Sequence, residues 1–148
     1  MSDDVHMRQA LALADVGAML GEVPIGALVV RGDEVLAASH NRRETWHDPT
    51  GHAEVLVIRE AAKKLGTWRL EGCTVYVTLE PCAMCAGAMV LSRVSRCVYG
   101  AADPKGGFLG TLADLSQYPG LNHRFEVVSG VLADESRDRL QAFFRRLR

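Results

Sequence analysis

Residues 73–85 read CTVYVTLEPCAMC, and this stretch decides the fold class. Its first part, Cys73 to Leu79, is dense in β-branched and aromatic side chains that fit a pleated, half-buried surface, and it predicts a strand. Its second part places Pro81 where a fixed φ and a missing N–H suit the first turn of a helix, here Cys82 to about Leu91. To the N-terminal side, HAEVLVIREAAKKLG from His52 is rich in helix formers and closes on Gly66. Before it, Gly26 to Val30 and Val35 to Ala38 flank a Gly32-Asp33 turn and predict a hairpin. Met7, Ala10, Leu11, Ala14 and Ala18 recur at helical spacing, from a cap at Asp3 or Asp4 to a stop at Gly21. To the C-terminal side come a strand at Arg96 to Gly100, a glycine-rich loop from Asp103 to Gly110 and a short helix at Thr111 to Leu115. A strand at Arg124 to Ser129 and a helix from Asp134 to Leu147 complete the order αββαβαβαβα. Strands interleaved with helices imply an α/β fold in which one sheet is covered on both faces.

The chain has 148 residues, room for one substantial core and not for two, so residues 1–148 are read as a single domain. No repeat, low-complexity tract or linker divides it. Hydrophobic residues at 48% and charged residues at 24% match globular averages and exclude intrinsic disorder. The longest apolar runs, such as Gly26 to Val30 and Ala86 to Leu91, fall far short of the roughly 20 residues that span a bilayer, so no membrane helix is expected. The opening MSDDVHMRQALALAD carries acids where a secretory signal would be basic, which makes a cytoplasmic location the expectation. A net charge of -1 offers no global attraction to nucleic acid, so any such contact must rest on local charge. In a reducing compartment Cys73, Cys82, Cys85 and Cys97 read as metal ligands or core residues rather than disulfides.

The chemistry concentrates in His52-Ala53-Glu54 and Pro81-Cys82-Ala83-Met84-Cys85, each at an expected helix start. Cys82 and Cys85, three apart on a helix, lie about 60° from each other around its axis, so both thiolates can face one point. His52 offers a neutral imidazole from a second helix, and three N/S ligands with one open position are the arrangement of a catalytic zinc. Partial positive charge at helix N-termini favours the thiolates. Glu54 stands about 200° from His52 on an ideal helix, so the two converge only if His52 occupies an irregular cap. A carboxylate beside metal-activated water can take its proton and hand it to a substrate nitrogen.

H-x-E followed by P-C-x-x-C is the signature of zinc nucleobase deaminases. The chain resembles the cytidine-deaminase-like superfamily and, within it, the bacterial tRNA-specific adenosine deaminases. The resemblance runs through EVPIGALVV (22–30), HNRR (40–43), HDPTGHAE (47–54), LEPCAMCAGAM (79–89), residues 100–105 and NHR (122–124). It implies a three-layer α/β/α sandwich with a five-stranded mixed sheet and a homodimer. The implied reaction is zinc-dependent hydrolysis of adenosine to inosine, with release of ammonia, at the wobble position of a tRNA anticodon. By motif position His52, Cys82 and Cys85 would hold one zinc ion per subunit, and Glu54 would shuttle protons. Asn41 matches a residue that bonds the flipped base, Asp103 one beside the target ribose, and Phe143 and Phe144 a terminal-helix pair near the anticodon stem-loop. Gly51 stands where many members have Ala, and Ala102 where many have Arg.

Plainer readings stand beside each of these. Two cysteines three apart also form redox pairs, and a structural zinc would recruit Cys73 or Cys97 as a fourth ligand. Asn41 and the Asp103-Pro104 pair are also ordinary turn chemistry, and His47 and His123 read better as packing residues of loops. Arg137, Arg139, Arg145, Arg146 and Arg148 against Asp138 alone give the end of the chain a basic character suited to phosphates. Yet Leu140, Phe143, Phe144 and Leu147 recur as on any core-facing helix, so one Phe is expected to pack and the other to meet RNA. Rival functions are deamination of a free base or nucleoside, and a zinc-stabilised RNA-binding module without catalysis.

Overall fold

The computed structural model describes residues 2–147. Strands β1 (Gly26–Arg31) and β2 (Glu34–His40) form the expected hairpin, turning at Gly32 with φ 62°. β3 (Cys73–Leu79) pairs antiparallel with β1 and parallel with β4 (Arg96–Ala101), which pairs parallel with β5 (Glu126–Val128). The sheet is therefore mixed, five-stranded and ordered β2-β1-β3-β4-β5. Successive residues of β1 face opposite sides, as the two-residue strand period demands. Ala27 and Val29 join the core built with Val57 and Ala61 of α2 (Ala53–Leu65) and Ala86 and Met89 of α3 (Ala83–Ser92). Leu28 and Val30 join the other core, with Met7, Ala10 and Leu11 of α1 (Asp3–Met19). Helix α4 (Ala133–Arg146) lies on the same side as α1, so the expected three-layer α/β/α sandwich is present.

Several boundaries differ from the sequence reading, each for a local reason. The cap of α1 is Ser2, whose hydroxyl accepts from Val5 N–H, while Asp3 and Asp4 sit in the first turn where acids favour the helix dipole. Helix α3 starts at Ala83 with Cys82 as its cap, so Pro81 precedes the helix instead of opening it. No helix forms from Thr111 to Leu115, because the Leu115 N–H bonds to Phe108 O and not to Thr111 O; one 3-10 turn follows at Leu115–Gln117, capped by Asp114. Strand β5 is shorter than Arg124 to Ser129, since the Phe125 N–H bonds to Ser116 O. Arg148 of the basic terminus lies outside the described residues.

Gly26 permits the tightest approach between α1 and the sheet. A Cβ there would lie 1.9 Å from the Ala10 carbonyl oxygen and 2.9 Å from the Ala14 nitrogen, both helix backbone that cannot yield as a side chain would. Gly26→Ala is expected to lower the unfolding free energy by about 3 kcal/mol, from overpacking. Urea titration checks this as a reduced midpoint at unchanged slope.

Candidate active site

The two motifs meet because β1 and β3 pair side by side, which brings the start of α2 against the start of α3. His52 caps α2 in an extended conformation (φ -78°, ψ 143°), and Cys82 caps α3 likewise (φ -76°, ψ -179°). The extended cap removes the 200° obstacle: His52 and Glu54 line one cavity. Cys85 follows in the first turn of α3 and is fully buried.

His52 Nδ1 lies 3.6 Å from Cys82 Sγ and 3.4 Å from Cys85 Sγ, and the two sulfurs are 3.7 Å apart. A tetrahedral zinc with usual bond lengths needs S···S of about 3.8 Å and N···S of about 3.6 Å, so the three donors already form one face of that tetrahedron. Among the described residues these are the three His/Cys/Asp/Glu side chains grouped closely enough to hold a metal ion. Cys73 and Cys97 are buried within β3 and β4, burial raises both thiols, and neither joins the group. They are core residues. In the metal-free chain Cys82 is pulled down to about 4, chiefly by the hydrogen bond from Cys85, and Cys85 is correspondingly held protonated. The hydrogen bond with Cys82 raises His52.

Glu54 is 5% exposed. Burial pushes its carboxyl up to about 7 in the metal-free chain, into the range where it can both take and give protons near neutrality. The cavity it lines has a volume of about 170 Å³ and also receives Asn41, Arg43, Glu80 and Asp103. Asn41 is fixed by its N–H to Ile25 O (3.0 Å) and by its Oδ1, which accepts from Arg43 N–H (3.1 Å). Asp103 Oδ1 accepts from Lys105 N–H at 3.0 Å. Asn41 and Asp103 thus keep the turn chemistry read from sequence while facing the same cavity as the ligand group.

Val23, Leu79 and Asp103 also line a second, larger groove of about 1070 Å³ that runs to α4 past Lys105, Arg137, Phe144 and Arg145. The structure splits the phenylalanine pair. Phe143 is 7% exposed and packs into the protein, whereas Phe144 is 44% exposed and lines the groove. Phe143 is therefore the one of the pair that packs, standing edge-on to Phe144 at 5.5 Å. His47 is exposed, and His123 packs near Phe125 with its ring nitrogen 2.7 Å from Val94 O, as a loop residue would.

Sequence reasoning passed over Glu22 and Glu80, both buried carboxylates. Glu22 accepts from the N–H groups of Glu44 and Thr45 and from the Thr45 hydroxyl, holding the loop that follows Asn41. Each is a lone acid at the edge of an apolar run, Glu22 before VPIGALVV and Glu80 after VYVTL, a pattern that by itself does not separate a buried acid from a solvated one.

The family model of the MafB19-like deaminases matches residues 1–148. The tRNA-specific adenosine deaminase of Bacillus subtilis (strain 168) is 58% identical over 146 residues, covering 99% of this chain and 91% of its own. That of Haemophilus influenzae is 44% identical, covering 99% and 85%. A solved structure from work on A-to-I editing by tRNA:A34 deaminases at the wobble position superposes with a TM-score of 0.88 at 43% identity, over 92% of this chain and 99% of the other. The guanine deaminase of Nitrosomonas europaea follows the same fold, with a TM-score of 0.79 at 26% identity over 96% and 84%. Fold, ligand geometry and sequence agree, and the chain belongs to the family of tRNA-specific adenosine deaminases.

Proposed function

We propose that residues 1–148 form a single zinc-dependent deaminase domain that hydrolyses adenosine to inosine at the wobble position of a tRNA anticodon and releases ammonia. His52, Cys82 and Cys85 would hold one zinc ion, for which their spacing fits. Bound zinc supplies Lewis acidity and makes water nucleophilic near neutral pH. Glu54 accepts a proton from the attacking water and delivers it to the adenine ring nitrogen; it then takes the proton of the new C6 hydroxyl and passes it to the amine, so that ammonia leaves as the C6 carbonyl forms. Asn41, its amide oriented by the Arg43 N–H, bonds the flipped base; Asp103 accepts from the ribose 2′-hydroxyl, a group that DNA lacks. A base next to the flipped one stacks on Phe144 while Lys105, Arg137 and Arg145 meet phosphates.

One observation carries the choice of a polymer over a free base: the catalytic cavity opens into the larger groove through shared walls at Val23, Leu79 and Asp103. A free nucleobase has no use for an aromatic and basic extension beyond its own pocket. A cytoplasmic homodimer completes the proposal. No helix among the described residues is long and apolar enough to cross a membrane, and the exposed Leu91 beside Gly87 and Ala88 on α3 supports a close-packed face. Analytical ultracentrifugation checks the dimer.

The deciding experiment offers zinc-loaded protein an anticodon stem-loop with wobble adenosine, beside free adenosine, guanine, cytosine and cytidine, and scores inosine and ammonia. Inosine in the RNA alone, with binding that weakens steeply as salt rises, is the expected result. Turnover confined to a small molecule would keep the chemistry and overturn the substrate. Silence on every substrate would favour a binding module.

A further inference from the structure

The loop that carries Asp103 is built around one carboxylate. Glu80 is 2% exposed and follows directly after β3. Its Oε1 accepts from the Asp103 N–H (3.0 Å) and from the Thr111 hydroxyl; its Oε2 accepts from the Leu109 and Thr111 N–H groups, both at 3.1 Å. Two oxygens thus satisfy three backbone donors of a segment that forms no helix or longer strand of its own. Gly107 completes the arrangement, since a Cβ there would stand 2.3 Å from the Glu80 carboxyl. An ionised acceptor serving several donors makes stronger bonds than a neutral amide. One of those donors is the backbone of Asp103 itself, so the carboxylate sets where that side chain stands at the junction of cavity and groove.

From this arrangement we infer that Glu80 is a positioning residue for RNA recognition, fixing the 103–111 loop so that Asp103 is held ready for the target ribose; this rests on the reading of Asp103 given above. Glu80 lies next to Pro81 and the ligand Cys82, so the alternative is that it only supports the metal site. The two roles separate in a double-mutant cycle. Steady-state deamination of the wobble-adenosine stem-loop is measured for wild type, Glu80→Gln, Asp103→Ala and the double variant, with zinc content of each determined by mass spectrometry. Glu80→Gln is expected to raise KM about tenfold with kcat within about twofold and zinc content unchanged. On the Asp103→Ala background the same substitution is expected to add less than about twofold.

A second variant guards against misfolding. Thr111 is exposed, and Thr111→Val, which removes one hydroxyl donor to the carboxylate, should raise KM several-fold while Thr111→Ser restores it. Amide hydrogen exchange supplies a readout independent of substrate: the Leu109 and Thr111 amides should exchange slowly in wild type and much faster in Glu80→Gln. Unchanged exchange, a fall in zinc content, a fall in kcat at constant KM, or fully multiplicative effects with Asp103→Ala would each overturn the inference. An inactive wild-type protein on RNA would instead strike the functional reading, while the exchange measurement still decides the role of the carboxylate.

Discussion

Glu54→Ala is expected to lower kcat by about 10³-fold or more, while zinc content and the binding of the RNA stay near wild type. The size follows from the position: of the two buried acids that line the ligand cavity, Glu80 is taken up by the donors of the 103–111 loop, whereas the Glu54 carboxyl is raised by burial into the range suited to take a proton and return it within one turnover. Ammonia release by metal-loaded protein checks it, and a wild-type rate from folded, zinc-loaded Glu54→Ala would remove Glu54 from the chemistry. The same burial has a thermodynamic side in the metal-free protein. A carboxyl whose folded pKa is about 7 binds its proton more tightly folded than unfolded, so it subtracts stability as the pH rises from the unfolded value near 4.5 through 7. The neutral isostere carries no such penalty. Metal-free Glu54→Gln should therefore melt higher than metal-free wild type at pH 8 and together with it at pH 4.

Removal of the metal is expected to abolish turnover and to lower the melting temperature together. An ion that binds only the folded chain, at 1,000 times its Kd, stabilises by about 4 kcal/mol, which is roughly 10–15 °C for a domain of this size. Cys85→Ala should reproduce both losses and make the protein indifferent to chelator, because it removes a fully buried ligand and leaves Cys82 and His52 without a third donor. Binding also carries a proton signature. Cys82 is already a thiolate at neutral pH through the hydrogen bond from Cys85, which keeps its own proton. Zinc must displace that proton, so affinity should fall as the pH falls. Calorimetry in buffers of different ionisation enthalpy should register at least one proton released per ion. A chelated wild type that keeps its melting temperature and its rate would overturn the metal assignment.

The grouping of His52, Cys82 and Cys85 was legible in sequence because its spacing is a property of helix starts. His52 before a run of helix formers and Cys82 after Pro81 mark two caps, and a cap leaves a side chain free to point away from its helix. Strand order was less legible, since turn signals say that β1 and β2 form a hairpin but no local signal says that β3 pairs with β1. The misplaced helix at Thr111 to Leu115 has the same origin. The Leu115 N–H, which would close a helical turn on Thr111 O, bonds to Phe108 O instead, while a carboxylate distant in sequence, Glu80, holds the Thr111 N–H. Glu80 and Glu22 escaped notice because an isolated acid beside an apolar run looks like a solvated residue until the loop it holds has been folded around it. The division of labour between Phe143 and Phe144 was open for a related cause: both fit the apolar face of α4, and only packing against the sheet decides which of them turns inward.

The mixed sheet also orders events in time. The β1–β2 hairpin joins neighbours in the chain, whereas β3 reaches β1 only after the whole of α2 has been spanned, and β4 reaches β3 only by way of α3. Non-local pairings of this kind form after the cost of closing long loops has been met. His52 and Cys82 come within reach of each other through the β1–β3 pairing, so an ion would find these three donors only in a chain whose topology is already set. Zinc supply would then govern how long a folded molecule lasts, by slowing its unfolding, and leave the rate at which it first folds unchanged.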